Sequence, residues 1–389
     1  MSNVKIIQFS NKTAQDRRLL KVFVDFHWKH YEHDPQYIPL LDYEYLGFKL
    51  LGMTGFFEPG NLFFKHGEMV FFLAQCGDHI VGCCNAFVNH NHNKHWNDKV
   101  GFFGQFETID DQEVAEALLN AAATWLRSKG MTAMRGPQNL PVNEATPGCL
   151  VEGFDTRPVV YYHYNKPYYE KILQAYQMQV VKRVKSWEVP VDRPMEEKLG
   201  RVGKKVMEHY GVRVENWGER PLPVRKEEML QVYNEAWNDN WGYVPFTREE
   251  FCKNIDDMQL IMEKGLFIFV YVKDELAAFF GGVPNIFERM QPLSWCRRCE
   301  FVRAARMLLS RHKIRGFRLG YMGVRPKFRR LGLDGVMLWQ QKIFAQQKGY
   351  DYSDLGWVLE DNVLIIRVVE MMQDVRLSKV YAIFQKELV

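Results

Sequence analysis

Residues 321–335 have the sequence Tyr-Met-Gly-Val-Arg-Pro-Lys-Phe-Arg-Arg-Leu-Gly-Leu-Asp-Gly, in which an apolar strand runs into a basic turn and then into an amphipathic helix. The backbone N–H groups of such a turn and of a helix N-terminus point outward and attract anions. Arg329 and Arg330 add positive charge, and Gly332 and Gly335 would let the chain approach a ligand closely. The stretch therefore predicts a site for a phosphate group.

Two common phosphate-binding motifs do not fit this stretch. No Gly-Lys-Ser/Thr follows the turn, and the glycine spacing of the dinucleotide-binding fingerprint is missing. The residues instead resemble the signature of the GCN5-related N-acetyltransferase (GNAT) superfamily, which is a strand with Val-x-Pro followed by Arg/Gln-x-x-Gly-x-Gly/Ala. Val324, Pro326, Arg329 and Gly332 stand at the matching positions, and Asp334 stands where the family has Gly or Ala.

The resemblance implies that acetyl-CoA or another acyl-CoA binds as co-substrate between two diverging parallel strands, here 317–324 and 351–359. Backbone N–H groups near Met322 and Val324 would polarise the thioester carbonyl, and an amine would attack it directly. The coenzyme-binding residues that the resemblance implies are Met322, Val324, Arg329, Arg330, Leu331, Gly332, Asp334, Gly335 and Asn362.

Three side chains are candidates for the catalytic base. Glu360 ends a strand next to the second coenzyme motif, in which Asn362 is the residue that the resemblance places near the pantetheine. Tyr321 and Tyr381 are the other two candidates. Each has a structural alternative, because Glu360 could stabilise the N-terminus of the following helix and the tyrosines could pack in the core. Val369 stands where the family often has a tyrosine that protonates the leaving thiolate.

The order of predicted strands and helices repeats along the chain, which indicates an internal duplication. We therefore predict a mixed α/β (α+β) fold of two tandem GNAT-like domains, 1–192 and 193–389, with central mixed sheets flanked by helices. Asp110 and Asp111 stand in the first half where a coenzyme-binding unit would have Arg and Gly. Because carboxylates repel pyrophosphate, we expect only the second domain to hold the coenzyme.

Two loops are the candidate binding site for the acceptor substrate. One is the long polar segment 135–155, with Asn143 and Glu144, and the other is the segment 234–243. In GNAT proteins the second region covers the acceptor pocket, and here it contributes Trp237, Asn240 and Trp241. Loop capping or core packing are the alternatives. Both loops resemble the tandem two-unit branch of the superfamily, including N-acyltransferases of the bacterial ceramide synthase type, which acylate a sphingoid amine.

An unusual insertion, residues 295–315, is rich in arginine and apolar side chains and contains one acidic residue, Glu300. A basic amphipathic helix of this kind can lie on an anionic membrane surface. The alternative is a solvated helix packed over the sheet or against the first half.

The composition sets the remaining limits. The chain has 389 residues, of which 47% are hydrophobic and 25% charged, with a net charge of +4 and seven cysteines. These values predict a globular, cytoplasmic protein, with no secretory signal, no membrane-spanning segment and no nucleic-acid partner. His90, His92 and His95 lie in a predicted polar hairpin loop without an acid or cysteine at ligand spacing, so we expect no metal.

The sequence thus predicts an acyl-CoA-dependent N-acyltransferase that moves an acetyl or longer acyl group to a primary amine, on a small molecule or a lipid. Two alternatives stay open. One is a non-catalytic acyl-CoA-binding or interaction protein, and the other is long-chain acyl transfer to a sphingoid-type amine. We expect a monomer or a homodimer, with peripheral contact to the inner membrane face through residues 295–315.

Overall fold

The computed structural model describes residues 4–143, 145–193, 197–293, 298–370, 372 and 374–388. Glu144 and residues 295–297 of the predicted basic insertion lie outside this part of the chain. Within it, no helix has both the length and the apolar composition that a membrane span requires.

The first half has the predicted elements in the predicted order, with an additional short helix at residues 42–46, an additional short strand at residues 149–152, and one exception. Its strands and helices are β1 (Val4–Phe9), α1 (Ala14–His30), α2 (Asp42–Leu46), β2 (Gly67–Cys76), β3 (His79–Asn89), α3 (His90–Trp96), β4 (Val100–Thr108), α4 (Gln112–Ser128), β5 (Ala133–Gly136), β6 (Cys149–Glu152), α5 (Tyr169–Ala175) and β7 (Gln179–Pro190). Asp111 caps α4, as its position at the helix start suggests. The exception is α3, because the loop predicted around His92 is helical. Asn89 accounts for this difference, since its side chain accepts hydrogen bonds from two N–H groups of the first turn.

The second half also has the predicted element order. Its strands and helices are α6 (Glu197–Tyr210), β8 (Val212–Asn216), α7 (Leu222–Trp237), α8 (Arg248–Met258), β9 (Phe267–Val272), β10 (Glu275–Pro284), α9 (Glu300–Leu309), β11 (Gly316–Val324), α10 (Leu333–Lys348), β12 (Tyr352–Leu359), α11 (Val363–Glu370) and β13 (Arg376–Glu387). A capping box starts α8, in which the Glu250 N–H donates to Thr247 Oγ1 at 3.2 Å.

The strands that the structure describes form one continuous sheet instead of two separate ones. Their order is β1-β2-β3-β4-β5-β13-β7-β12-β11-β10-β9-β8, with β6 beside β13. β13, the last strand of the second half, pairs with β5 of the first half, and β7, the last strand of the first half, pairs with β12 of the second. Each half thus completes the sheet of the other. The domain limits at residues 192 and 193 stay a prediction.

Helices cover the sheet and close its cores. α4 packs on β2 and β3 of the first half, whereas α7 packs on β10 and β11 of the second. The core of the second half also takes in Ile38, Leu41 and Val160 from the first half. The two halves are therefore joined by buried apolar side chains as well as by strand exchange, and the site described next lies where they meet.

Candidate active site at the junction of the two halves

β11 and β12 form a fork. They pair in parallel only from Gly316 with Tyr352 to Leu319 with Leu355, and beyond these residues they separate. The separated ends enclose a cavity of about 190 Å³, here called the fork cavity, which is lined by residues 318–322 of β11 and 355–359 of β12. A fork between parallel strands is the place where the resemblance puts the acyl-CoA.

A buried ionic network lies at the base of the fork. Arg318 of β11 stands opposite Asp354 of β12 and donates from Nε to the Gly356 carbonyl at 3.1 Å. Asp354 Oδ1 accepts a hydrogen bond of 2.7 Å from the Tyr162 hydroxyl. Burial raises the pKa of Asp354 to about 6, although the Tyr162 hydrogen bond and the charge of Arg318 oppose the shift. The network ties the start of the fork to the 146–164 segment of the first half.

The start of α10 borders the fork cavity, and the basic turn leads into this helix. Met322, Asp334 and Asn362 line the fork cavity, whereas Val324 ends β11 outside it. The other predicted coenzyme-binding residues lie on the turn or in the first turn of the helix, outside the lining of the cavity: Arg329, Arg330, Leu331, Gly332 and Gly335. Gly332 is the N-cap of α10 with a φ of 75°, and as a glycine it supplies no side chain to cap the first N–H groups. These groups can therefore receive an anion.

Two of the basic side chains at the turn have internal partners. Arg325 bonds to Glu235 Oε2 at 2.7 Å and to the Leu276 carbonyl at 2.7 Å, so it anchors the turn to neighbouring elements. Arg329 donates to the Ala236 carbonyl at 3.1 Å. Arg330 is exposed and has a φ of 68°. The turn thus presents at least one cation to solvent beside the N-terminus of α10.

Four of the predicted acceptor residues line the fork cavity. They are Asn143, Trp237, Asn240 and Trp241. The Trp237 ring lies against β11 at Gly323, where a Cβ atom would approach it to 2.9 Å. The 238–247 loop is held from the first half, because Trp96 Nε1 donates to the Tyr243 carbonyl at 2.8 Å. The structure therefore brings both predicted acceptor loops to the same cavity, and both halves build it.

The three predicted catalytic candidates occupy different surroundings. Tyr321 lines the fork cavity. Glu360 is exposed, and its carboxylate accepts from the Arg183 N–H at 2.8 Å at the edge of β7. Tyr381 is buried, donates to the His163 carbonyl at 2.7 Å, and is not part of the lining of the fork cavity. Only Tyr321 is placed beside the fork, and the base itself stays a prediction.

A second cavity begins where the fork cavity ends. It has a volume of about 520 Å³ and lies between α1, α2 and the 139–164 segment of the first half and α7, α8 and α9 of the second. Tyr233 and Tyr321 line both cavities. We call it the interface cavity. Most of its wall is apolar or aromatic, including Leu41, Phe287 and Met307.

The interface cavity also contains buried ionisable groups that the sequence did not single out. Glu107 Oε2 accepts hydrogen bonds from the Tyr31 hydroxyl at 2.5 Å and the Tyr169 hydroxyl at 2.6 Å. Burial raises the pKa of Glu107 to about 8. Burial lowers the pKa of His163 to about 4, and its Nε2 has no hydrogen-bond partner among the described residues. A glutamate in a strand that is otherwise free of charged residues was the sequence signal for this cluster.

No metal site can be assigned from side-chain clustering. Among the residues that the structure describes, no group of three or more His, Cys, Asp or Glu side chains is arranged to hold a metal ion.

Two curated proteins resemble the chain in sequence. It is 27% identical over 407 residues to Protein YghO of Escherichia coli (strain K12), a match that covers 100% of this chain and 98% of that protein. It is 28% identical over 350 residues to bacterial ceramide synthase of Caulobacter vibrioides (strain NA1000 / CB15N), which covers 84% of this chain and 86% of that protein. No family model matches the chain.

Solved structures resemble it in fold at low sequence identity. The tandem GNAT protein from the clavulanic acid biosynthesis pathway has a TM-score of 0.57 at 10% identity, covering 100% of this chain and 99% of that one. A GCN5-related N-acetyltransferase from Sphaerobacter thermophilus has a TM-score of 0.51 at 10% identity, covering 98% of this chain and 96% of that one. These likenesses confirm the predicted architecture: the chain has the tandem fold of the GCN5-related N-acetyltransferases.

Proposed function

We propose that the protein is an acyl-CoA-dependent N-acyltransferase that transfers an acyl group to a primary amine. The observation that carries the proposal is the fork between β11 and β12, which opens after Leu319 and Leu355 into a cavity that reaches Tyr321. The thioester would lie in this fork, and the phosphates would lie at the basic turn and the N-terminus of α10. The GNAT fold supports this assignment, because acyl transfer is the reaction that the resemblance implies.

The proposed reaction needs no covalent enzyme intermediate. The amine nitrogen attacks the thioester carbonyl carbon, a C–N bond forms, and the C–S bond breaks. The amine loses a proton to a base, and the departing thiolate gains one from an acid. Tyr321, predicted above as a candidate base, is instead our candidate for the acid, because it lies between the two cavities and Val369 stands where the family often has the tyrosine acid. Backbone N–H groups at the open edge of β11 would stabilise the developing oxyanion, and each such donor contributes roughly 3–4 kcal/mol.

The interface cavity favours a long-chain substrate over a small one. Its volume of about 520 Å³ lies within the range of roughly 300–1,000 Å³ that is typical of ligand sites, and its wall is largely apolar. Because the resembling Caulobacter protein is a ceramide synthase, we propose transfer to a lipid amine of the sphingoid type as the second candidate. His163 and Glu107 would then hydrogen-bond to polar groups at the head of the chain.

Calorimetric titration of acetyl-CoA and of palmitoyl-CoA into the same preparation tests the proposal. Micromolar binding of acetyl-CoA alone, about −8 kcal/mol, would indicate short-chain transfer. A clear preference for palmitoyl-CoA would favour the lipid amine. Binding of neither would overturn the assignment of the fork.

Turnover separates catalysis from simple binding. Release of free thiol is followed with the better-bound acyl-CoA and a panel of primary amines that includes a sphingoid base. Amine-dependent thiol release supports the transferase. Tight acyl-CoA binding without release for any amine would favour the non-catalytic acyl-CoA-binding protein.

A further inference from the structure

Helix α9 exposes its apolar face to solvent, whereas a helix that only packs on a protein core buries that face. Phe301, Val302, Ala305, Leu308 and Leu309 recur at the spacing of one helix face, and all five are exposed. Leu309 is 79% exposed and Phe301 67%. The opposite face carries Arg303, which is fully buried, and Met307. The hydrophobic stripe of this helix therefore points to solvent.

The inward face shows that this orientation is fixed. Arg303 Nε donates to the Met290 carbonyl at 3.0 Å, and its Nη2 donates to the Pro39 carbonyl at 2.5 Å. Arg298, just before the helix, pairs with Asp25 and Asp42 of the first half. A rotation of α9 that buried Phe301 would break these buried bonds of Arg303, and unpaired buried charges are costly.

The exposed stripe continues onto a neighbouring turn of the first half. The Phe48 ring contacts the Phe301 ring, with centroids 5.6 Å apart. Two residues further, Leu50 is 88% exposed, the highest value among the exposed large hydrophobic side chains. We call the surface formed by Phe301, Val302, Leu308 and Leu309 the apolar patch, and Leu50 is an exposed apolar side chain two residues along the chain from its contact at Phe48. Single exposed apolar side chains are common on soluble proteins, but clusters of them are not. A cluster of this kind therefore marks a docking surface.

Positive charge surrounds the apolar patch. Lys49, Arg311 and Lys313 are exposed, and none of the three forms an ion pair with a described residue. Because a two-fold contact would bring these like charges together, a second copy of the chain is a poor occupant. Anionic lipid headgroups would neutralise them while the apolar side chains enter the acyl boundary.

We propose that the apolar patch docks the protein on the surface of an anionic membrane. The patch also lies over the interface cavity, since Met307 on the inner face of α9 and Gly52, Met53 and Thr54 beside Leu50 line that cavity. A lipid substrate could therefore enter from the bilayer. The docking itself does not depend on the proposed acyl transfer, because it can be measured without any substrate.

Co-sedimentation with vesicles tests the proposal on the full chain. Vesicles of phosphatidylcholine alone are compared with vesicles that also contain phosphatidylglycerol. We expect binding to the anionic vesicles to exceed binding to the neutral ones at least tenfold and to weaken with salt. Absence of binding to either composition, or equal binding to both, overturns the proposal.

Matched variants locate the contact. Phe301→Ser with Leu309→Ser should reduce the partition coefficient at least tenfold. Arg311→Gln with Lys313→Gln should reduce it roughly fivefold for each charge removed. The control is Val202→Ser with Val224→Ser, which removes two other exposed apolar side chains outside the patch. If the partition coefficient fell equally in the control and in the patch variants, the assignment of the membrane contact to the apolar patch would be overturned.

A last measurement distinguishes a membrane from a second copy of the chain. The oligomeric state of the parent and of the Phe301→Ser, Leu309→Ser variant is determined by light scattering in solution. An unchanged state together with lost vesicle binding supports the membrane. Conversion of a dimer to a monomer, without vesicle binding by the parent, would assign the patch to self-association and overturn the proposal.

Discussion

The two halves of the molecule each contain a fork between parallel strands, and only one of them is open. In the first half β4 and β5 pair from Val100 with Ala133 to Phe102 with Arg135, much as β11 and β12 pair in the second. Beyond these residues the chain of the first half fills its own fork. The Gln138 N–H donates to the Phe103 carbonyl at 2.8 Å, and Asn139 Oδ1 accepts from the Gln105 N–H at 2.6 Å.

The helix that follows the first strand of each fork also differs between the halves, at its N-terminus. Asp111 caps α4 in the first half, whereas Gly332 starts α10 in the second with no side-chain cap and with Arg329 and Arg330 nearby. A carboxylate at a helix N-terminus satisfies the N–H groups that an anion would otherwise receive. Two copies of one fold have thus become different: the first closes its fork with its own loop, and the second leaves it available to a ligand.

The largest expected effect comes from reversing the charge at the open fork. Arg329→Glu with Arg330→Glu should weaken acyl-CoA binding by roughly a hundredfold or more, because each charge-assisted hydrogen bond to phosphate contributes about 1.5–3 kcal/mol. Calorimetric titration measures the change in acyl-CoA affinity. Lys5→Glu with Lys12→Glu, on exposed positions of the first half, makes the same change in net charge and is the control. Unchanged affinity in the arginine variant would remove the coenzyme from this fork.

Tyr321→Phe should lower kcat by roughly a hundredfold with little change in acyl-CoA affinity, which is the size that one acid–base group contributes. Tyr381→Phe gives the contrast. Because the Tyr381 hydroxyl donates to the His163 carbonyl in the core, its removal should cost about 0.5–1.5 kcal/mol of stability and leave kcat nearly intact. A greater loss of kcat in the Tyr381 variant would restore Tyr381 as the catalytic candidate and exclude Tyr321.

A substitution at Gly104 tests whether the filling loop packs tightly in the closed fork. A Cβ atom at Gly104 would lie 1.9 Å from the Gln138 carbonyl oxygen, a backbone atom of the filling loop. Gly104→Ala should therefore lower the free energy of unfolding by about 1–3 kcal/mol. At Gly320 of the open fork, the nearest atom to an added Cβ is Arg318 Nε at 3.4 Å. Gly320→Ala should leave the Tm nearly unchanged, and equal losses in both variants would mean that the forks do not differ in packing.

The sequence predicted most elements of both halves, and the family resemblance implied the open fork, but neither predicted the closed one. Turn glycines and hydrophobic spacing are local signals, so the strand, turn and helix of residues 321–335 could be recognised from neighbouring residues. The spacing of apolar residues along the chain does not specify which segments pair in space. It could therefore predict neither that Gln138 fills the first fork nor that β7 and β13 exchange between the halves. Glu107 was missed for the same reason, since its partners Tyr31 and Tyr169 are distant in sequence.

The last expected effect is a pH dependence of stability that differs between a carboxyl of the first half and one of the second. Burial raises the pKa of Glu107 from 4.5 to about 8 and that of Asp354 from 3.8 to about 6. Between its two values each carboxyl is protonated in the folded chain and ionised in the unfolded one, so stability falls as pH rises through that window and then levels off. For Glu107 the fall extends from about pH 4.5 to about pH 8, whereas for Asp354 it ends near pH 6.

Variants with a neutral amide reveal the pH range over which each carboxyl changes the stability of the fold. Glu107→Gln and Asp354→Asn keep an amide in place of the carboxyl and lose its titration. The free energy of unfolding is measured in urea from pH 5 to pH 9 for the parent and both variants. The difference between Glu107→Gln and the parent should keep changing in favour of the variant up to about pH 8, and that for Asp354→Asn should be constant above about pH 6. Parallel curves for Glu107→Gln across the whole range would show that Glu107 is ionised in the folded chain from pH 5 to pH 9 and would contradict the prediction.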